Sequence, residues 1–157
     1  MKQNDRRIFV DTTPDEATAT YSRVGVGFDT ATKSSNTTIQ TNQWISEDKG
    51  TTEITGKNIQ KAISGKRVIG DDFNDFFCGL FEKIGEDCET TLVAVDMWNT
   101  PTGTVYPAKL YNVVIDCAND GSGGATDGLP ISGTIYFNGE PTDGSFDTSD
   151  NTFTPNP

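Results

Sequence analysis

Side chains able to act as acid, base or nucleophile are present in this sequence, but their types and spacing are poorly suited to catalysis. There are 23 carboxylates and three cysteines but no histidine among the 157 residues, so no imidazole is available to take a proton from a serine or cysteine nucleophile. Neither GxxxxGK[ST] nor GxSxG occurs. Asp71 with Asp72, and Glu86 with Asp87, are adjacent carboxylates, whereas a glycosidase pair must face across a cleft. A helix cap and a solvated turn are the simpler readings. Asp120, Asp127, Asp147 and Asp150 lie in two polar loops that lack the D-x-[DN]-x-[DN]-G-x5-E pattern of a calcium loop, and Asp suits turns through local hydrogen bonds. Cys78, Cys88 and Cys117 form no CxxC, which suggests neither a zinc site nor a disulfide framework and favours reduced thiols. The expectation is a chain with no catalytic, metal-binding or cofactor-binding residues.

Charge narrows the partners. The formal net charge is −11, and a protein that grips phosphates needs clustered Lys and Arg instead. Lys109 is the last basic residue, after which Asp116, Asp120, Asp127, Glu140, Asp143, Asp147 and Asp150 stand uncompensated. The opening MKQNDRRIFVD has no apolar core of a signal peptide, and no run approaches the roughly 20 apolar residues of a membrane span. A cytosolic site of synthesis is expected, with one domain over residues 1–157.

The elements that would position these groups are mainly β. Hydrophobic residues make up 33% of the chain, below the usual share, and abundant Thr, Asn, Asp, Gly and Ser suit short strands joined by polar turns. The exception is DDFNDFFCGLFEKIG from Asp71 to Gly85. Phe73, Phe76, Phe77, Leu80, Phe81 and Ile84 recur at helical spacing, which predicts one amphipathic helix over about 72–84 with Asn74, Asp75, Glu82 and Lys83 on its polar face. Asp71 or Asp72 is its expected N-cap and Gly85 its stop. A stripe so rich in phenylalanine needs a large apolar surface, so the helix should be the single lid on a sheet or sandwich.

Strands are expected at Ile8–Val10, Ala19–Phe28, Thr51–Thr55, Asn58–Ile63, Thr91–Trp98, Thr104–Ala118 and Ile131–Phe137. Gly25 and Gly27 fall between Val24, Val26 and Phe28, which points to close approach of another backbone or to a bulge; the third glycine of GxGxxG is missing. Thr91–Trp98 is nearly continuously apolar, as in a strand covered on both faces. In the longest strand Tyr111, Val113, Ile115 and Cys117 share one face, and Asn112, Val114 and Asp116 the other. The polar stretch Thr30–Asn42 reads as a long loop or arm. A short hairpin-like segment at about 144–155 closes the chain.

Three phrases, in order along the chain, resemble the tail tube (major tail) proteins of bacteriophages. The last is Pro130-Ile131-Ser132-Gly133-Thr134-Ile135-Tyr136-Phe137-Asn138-Gly139, then Gly144-Ser145-Phe146-Asp147-Thr148 and Thr152-Phe153-Thr154-Pro155. The others are Arg23-Val24-Gly25-Val26-Gly27-Phe28, and Trp44-Ile45-Ser46-Glu47 with Thr51-Thr52-Glu53-Ile54-Thr55-Gly56. Glu140-Pro141-Thr142-Asp143 departs from the pattern, which carries an apolar residue there.

This resemblance implies a β-sandwich or barrel of tail-tube type with one flanking helix. Six copies would close into a ring, and rings would stack into a hollow tube through which DNA passes without specific binding. It further implies location in the virion tail after assembly in the host cytoplasm, with tape-measure, tail terminator and baseplate or tail-tip proteins as partners. The net charge would make the lumen negative. By strand parity the candidate lumen-facing residues are Asn112, Asp116, Ser132, Thr134 and Tyr136. The candidate inter-ring arm comprises Lys33, Asn36, Thr38, Ile39 and Gln40. Two alternatives remain: a monomeric β-sandwich binding module of carbohydrate-binding or adhesin type, and a ring protein of a contractile injection apparatus. Trp44, Trp98 and Tyr106 are widely scattered for the first of these.

Overall fold

The computed structural model describes Met1–Pro157. In chain order the elements are β1 (Arg6–Asp11), β2 (Tyr21–Arg23), β3 (Phe28–Ser34), β4 (Thr37–Asn42), β5 (Thr51–Lys57), β6 (Gln60–Lys66), α1 (Asp72–Gly79), β7 (Glu89–Asp96), β8 (Val105–Asn119), β9 (Pro130–Asp147) and β10 (Thr152–Pro155). Eight strands form one antiparallel sheet, in the order β2-β1-β7-β8-β9-β6-β3 with β10 added to the far end of β9. It curls into a half-barrel under the single helix, so the mainly β reading with one flanking helix holds. β4 and β5 pair only with each other.

The long strands β8 and β9 hold the sheet together. Residues 130–136 of β9 pair with β6 and residues 144–147 pair with β10. Along the other side of both parts runs β8. Between them the register shifts, because Asn138 and Thr142 of β9 face Asn112 and Leu110 of β8. Gly139, Glu140 and Pro141 stand against the single residue Tyr111 and form a bulge, with Gly139 at φ 69°. A bulge bends a strand and tolerates the missing donor of proline, which explains why the polar departure at 140–143 is accommodated.

One face of the sheet carries the main core beneath the helix. Ile8, Val10, Leu92, Val113, Ile115, Cys117, Ile131 and Ile135 pack against Phe73, Phe77 and Leu80, the face predicted from alternation in β8. Gly133 makes room for Phe77, since a Cβ there would lie 2.8 Å from its ring and 2.0 Å from the Asp116 carbonyl. At the other end of the sheet a second core lies on the opposite face, formed by Phe9, Val93, Val95, Ala108 and Phe146. Phe9 and Tyr21 place their rings 4.5 and 6.0 Å from that of Phe146. β7 is therefore covered on both sides, as its apolar run predicts.

The helix is shorter than its hydrophobic spacing suggests. Asp71 caps it as expected, accepting from the Asn74 N–H at 3.0 Å. After Gly79, however, the chain tightens: Leu80 bonds back to Phe77, Phe81 to Cys78 and Lys83 to Leu80. These three-residue links turn successive side chains by more than an α-helix does, which swings Phe81 and Ile84 off the stripe into solvent. Phe76 is half-buried. Gly85, at φ 65°, opens a short 3-10 turn (Gly85–Cys88) and does not end the helix.

Asn74 departs further from its expected exposed position, for it is fully buried. Its Oδ1 accepts from Arg67 Nη1 at 2.9 Å and the Val68 N–H at 3.1 Å, and its Nδ2 donates to the Lys66 carbonyl at 3.1 Å. Asn74 therefore ties the helix to the turn after β6. Asn74→Ala leaves a buried N–H and C=O unpaired, so it should lower unfolding free energy by about 1–3 kcal/mol in urea titration. A loss near zero would show that water replaces the amide.

Two strand assignments also change. Ala19–Phe28 is β2 followed by a turn, because Gly27 takes φ 84°. The close backbone approach holds at this glycine, where a Cβ would meet the Lys66 carbonyl at 2.5 Å, but Gly25 has no backbone atom so near. Thr30–Asn42 is not an irregular loop, since it contains most of β3 and all of β4. Threonine-rich segments form strands when a neighbour supplies the hydrogen bonds, and those neighbours, β6 and β5, lie later in sequence.

Candidate functional site: an open sheet face, a bare hairpin and a cationic groove

Strand register brings the five candidate lumen residues onto one face. Asp116 stands opposite Thr134, and Thr134 opposite Ala62; Val114, Tyr136 and Gln60 form the next row. Ser132 is flanked by Asn119 and Ser64, and Asn112 faces Asn138. Thr30, Thr32 and Ser34 extend the same face across β3. This surface is mostly hydroxyl and amide, with Asp116 and Glu89 set against Lys66. The helix and the turn after it carry a denser group, Asp71, Asp72, Asp75, Glu82, Glu86 and Asp87, outside the main core.

β4 and β5 make a hairpin that leaves the sheet. All their residues are exposed except Gly56, and Ile39 faces Ile54 with both in solvent. The tip, Gln43–Gly50, bears Trp44 at 71% exposure and a fully exposed Ile45, followed by Glu47 and Asp48. Its side-chain bonds are internal, from Gln43 Nε2 to the Glu47 carbonyl at 3.0 Å and from the Trp44 N–H to Glu47 Oε2 at 3.5 Å. Of the candidate arm residues, Thr38, Ile39 and Gln40 lie on β4 and Asn36 in the link before it. Lys33 belongs to β3 in the main sheet.

Lys33 opens onto the feature that sequence reasoning missed. It stands directly opposite Lys61 on β6, with its ammonium 5.0 Å from the Phe137 ring centre and 5.7 Å from that of Tyr111. Lys61 is only 3% exposed. Burial, then Lys33 and Arg6, push the Lys61 ammonium down to about 8. Burial foremost lowers Lys33 as well. Arg6 bonds Asp96 at 2.8 Å and lies over Trp98. Two hollows of about 380 and 460 Å³ share Arg6 as a wall, the first lined by Lys61 and the second by Lys33. A hint lay in the alternation Lys61, Ile63, Gly65, which puts a lysine on the core face of β6.

The cysteines and the turn aspartates serve structure. Burial raises the thiols of Cys78 and Cys88, and that of Cys117 to about 12, the reverse of an activated nucleophile. Asp147 accepts from the Ser149 N–H and hydroxyl and from the Thr104 hydroxyl, which hold its carboxyl below the usual range. Asp150 and Asp127 likewise close turns. No three His, Cys, Asp or Glu side chains are grouped to hold a metal ion, and no helix is long and apolar enough to cross a membrane.

No family model matches the chain, and no curated protein matches it in sequence. Among solved structures, a chain from the tail of an empty GTA particle, obtained by helical refinement with C6 symmetry, matches it with a TM-score of 0.62. The match covers 90% of this chain and 97% of that one at 11% sequence identity. The two chains share a fold.

Proposed function

We propose that this chain is the structural subunit of a tail tube, in which six copies close into a ring and rings stack around a bore that passes DNA. The observation that carries this reading is the fold shared with a C6-symmetric tail over nearly the whole of both chains. The three sequence phrases lead to it independently. A half-barrel with β2 and β3 as its edges leaves strands unpaired in a lone subunit, and ring closure would cover them. The open face of β3, β6, β8 and β9, holding Asn112, Asp116, Ser132, Thr134 and Tyr136, is the candidate bore wall. There the charge is mild, two carboxylates (Asp116, Glu89) against one ammonium (Lys66), so hydroxyls and amides would form most of the surface met by DNA. Tape-measure, terminator and tail-tip partners follow from the same reading.

Negative-stain electron microscopy of the purified chain across concentration tests the assembly. Six-fold rings or hollow tubes are expected; particles that stay monomeric with every initiating partner supplied would favour a binding module. Trp44 on the hairpin tip, Trp98 beside Arg6 and Tyr106 packed against the second core sit apart, so these three form no aromatic platform for a sugar. Asp116→Lys should leave tubes intact while slowing DNA exit from reconstituted particles, since it puts a cation on the candidate wall of each copy. Unchanged exit kinetics would remove Asp116 from the bore.

A further inference from the structure

The groove beside Lys33 and Lys61 has an incomplete charge balance. The ion pairs of the subunit join Arg6 to Asp96, Arg67 to Asp75 and Lys109 to Asp143, and neither Lys33 nor Lys61 has a carboxylate partner. Like charges directly opposite on neighbouring strands repel, and burying an unpaired ammonium is costly. That such a pair persists in a chain of net charge −11 points to an anion supplied from outside the subunit. The walls specify more than an ion, because Ile8, Phe28, Ala31 and Ile63 line the hollow that holds Lys61, and Arg6 joins that hollow to the one lined by Lys33 as a shared wall. A fitting ligand offers an apolar group beside a carboxylate.

The hairpin tip has that composition, with bare Trp44 and Ile45 next to Glu47 and Asp48. Isolated two-stranded hairpins are marginal in water, so β4 and β5 call for a surface to lie on. Strands of this length extend roughly 20 Å, enough to reach beyond their own subunit. We infer that the tip of the β4–β5 hairpin in one copy docks into the cationic groove of another, placing Glu47 and Asp48 against Lys33 and Lys61 and an apolar side chain of the tip on the groove wall. This rests on the tail-tube reading and adds to it the surface that receives the arm. Lys33 thereby becomes a receptor residue for the arm.

Charge reversal in the full-length chain tests the docking. Lys33 is exposed, so Lys33→Glu should fold, as should Glu47→Lys with Asp48→Lys on the solvated tip. Each side alone should cut the tube fraction in sedimentation by about tenfold, and combining them should restore most of it. Carbodiimide treatment of tubes mixed from 15N-labelled and unlabelled protein should join Lys33 to Glu47 or Asp48 across differently labelled copies. Tubes that tolerate the tip reversal, or a combined variant as defective as its parents, overturn the docking and leave the tube reading standing. Loss of tubes on Lys33→Glu but not on tip reversal means another anion fills the groove. A wild-type chain that forms neither rings nor tubes overturns both readings.

Discussion

Phe77→Ala is expected to lower unfolding free energy by about 3–5 kcal/mol, and Phe77→Asp to leave no folded protein. Phe77 is 0% exposed, and its ring centre lies 5.5 Å from that of Phe28 and 6.0 Å from that of Phe73. Truncation removes apolar contact and opens a cavity that a sheet braced by β8 and β9 cannot collapse to fill. Its neighbours on the predicted stripe supply controls within one helix and turn. Because Phe81 and Ile84 are solvent-exposed, their alanine variants should change stability by less than about 1 kcal/mol. Denaturant midpoints of the three variants decide the matter. Equal losses at positions 77, 81 and 84 would mean that the helix continues and buries its whole stripe.

Lys61→Met is expected to stabilise the unassembled subunit at neutral pH by up to about 3 kcal/mol. The ammonium titrates at about 8 in the fold against 10.5 unperturbed, because it is buried and faces Lys33, with Arg6 near. Below about pH 8 the folded state bears the full cost of a desolvated charge. Between pH 8 and 10.5 the unfolded chain binds the proton that the folded chain has released, so wild-type stability rises with pH across this window. The advantage of Lys61→Met should therefore shrink toward zero by pH 10.5. Comparing wild type with the variant cancels the titration of other groups. A constant difference in melting temperature from pH 7 to 10.5 would show that Lys61 is not held charged at a cost. If the groove receives a carboxylate on assembly, the same variant should form weaker tubes from a more stable subunit.

Features that depend on near neighbours in sequence were legible directly. Phe73, Phe77 and Leu80 share a helical stripe, Asp71 caps it, and Tyr111 to Cys117 alternate between a buried and an open side, since helix and strand periods follow from backbone geometry. The lumen candidates were placed on one face by the same alternation. Where the helix stops was not legible, because the tightening after Gly79 is a change in hydrogen-bond pattern that hydrophobic spacing ignores. Asn74 looked like a solvent-facing residue until the turn after β6 presented two donors and an acceptor to its amide.

The sequence by itself determined a mainly β chain with one amphipathic helix and the sidedness of its long strands, whereas the polar stretch 30–42 divides between a main-sheet strand and the first strand of the hairpin. The tertiary structure alone decided which strands adjoin. It set Lys33 opposite Lys61, detached the hairpin from the sheet and bent β9 at its bulge. The physical reason is that alternation assigns a side chain to a face but not to a partner. Partners are chosen by backbone pairing between segments distant in the chain, and the cationic groove exists only once that choice is made.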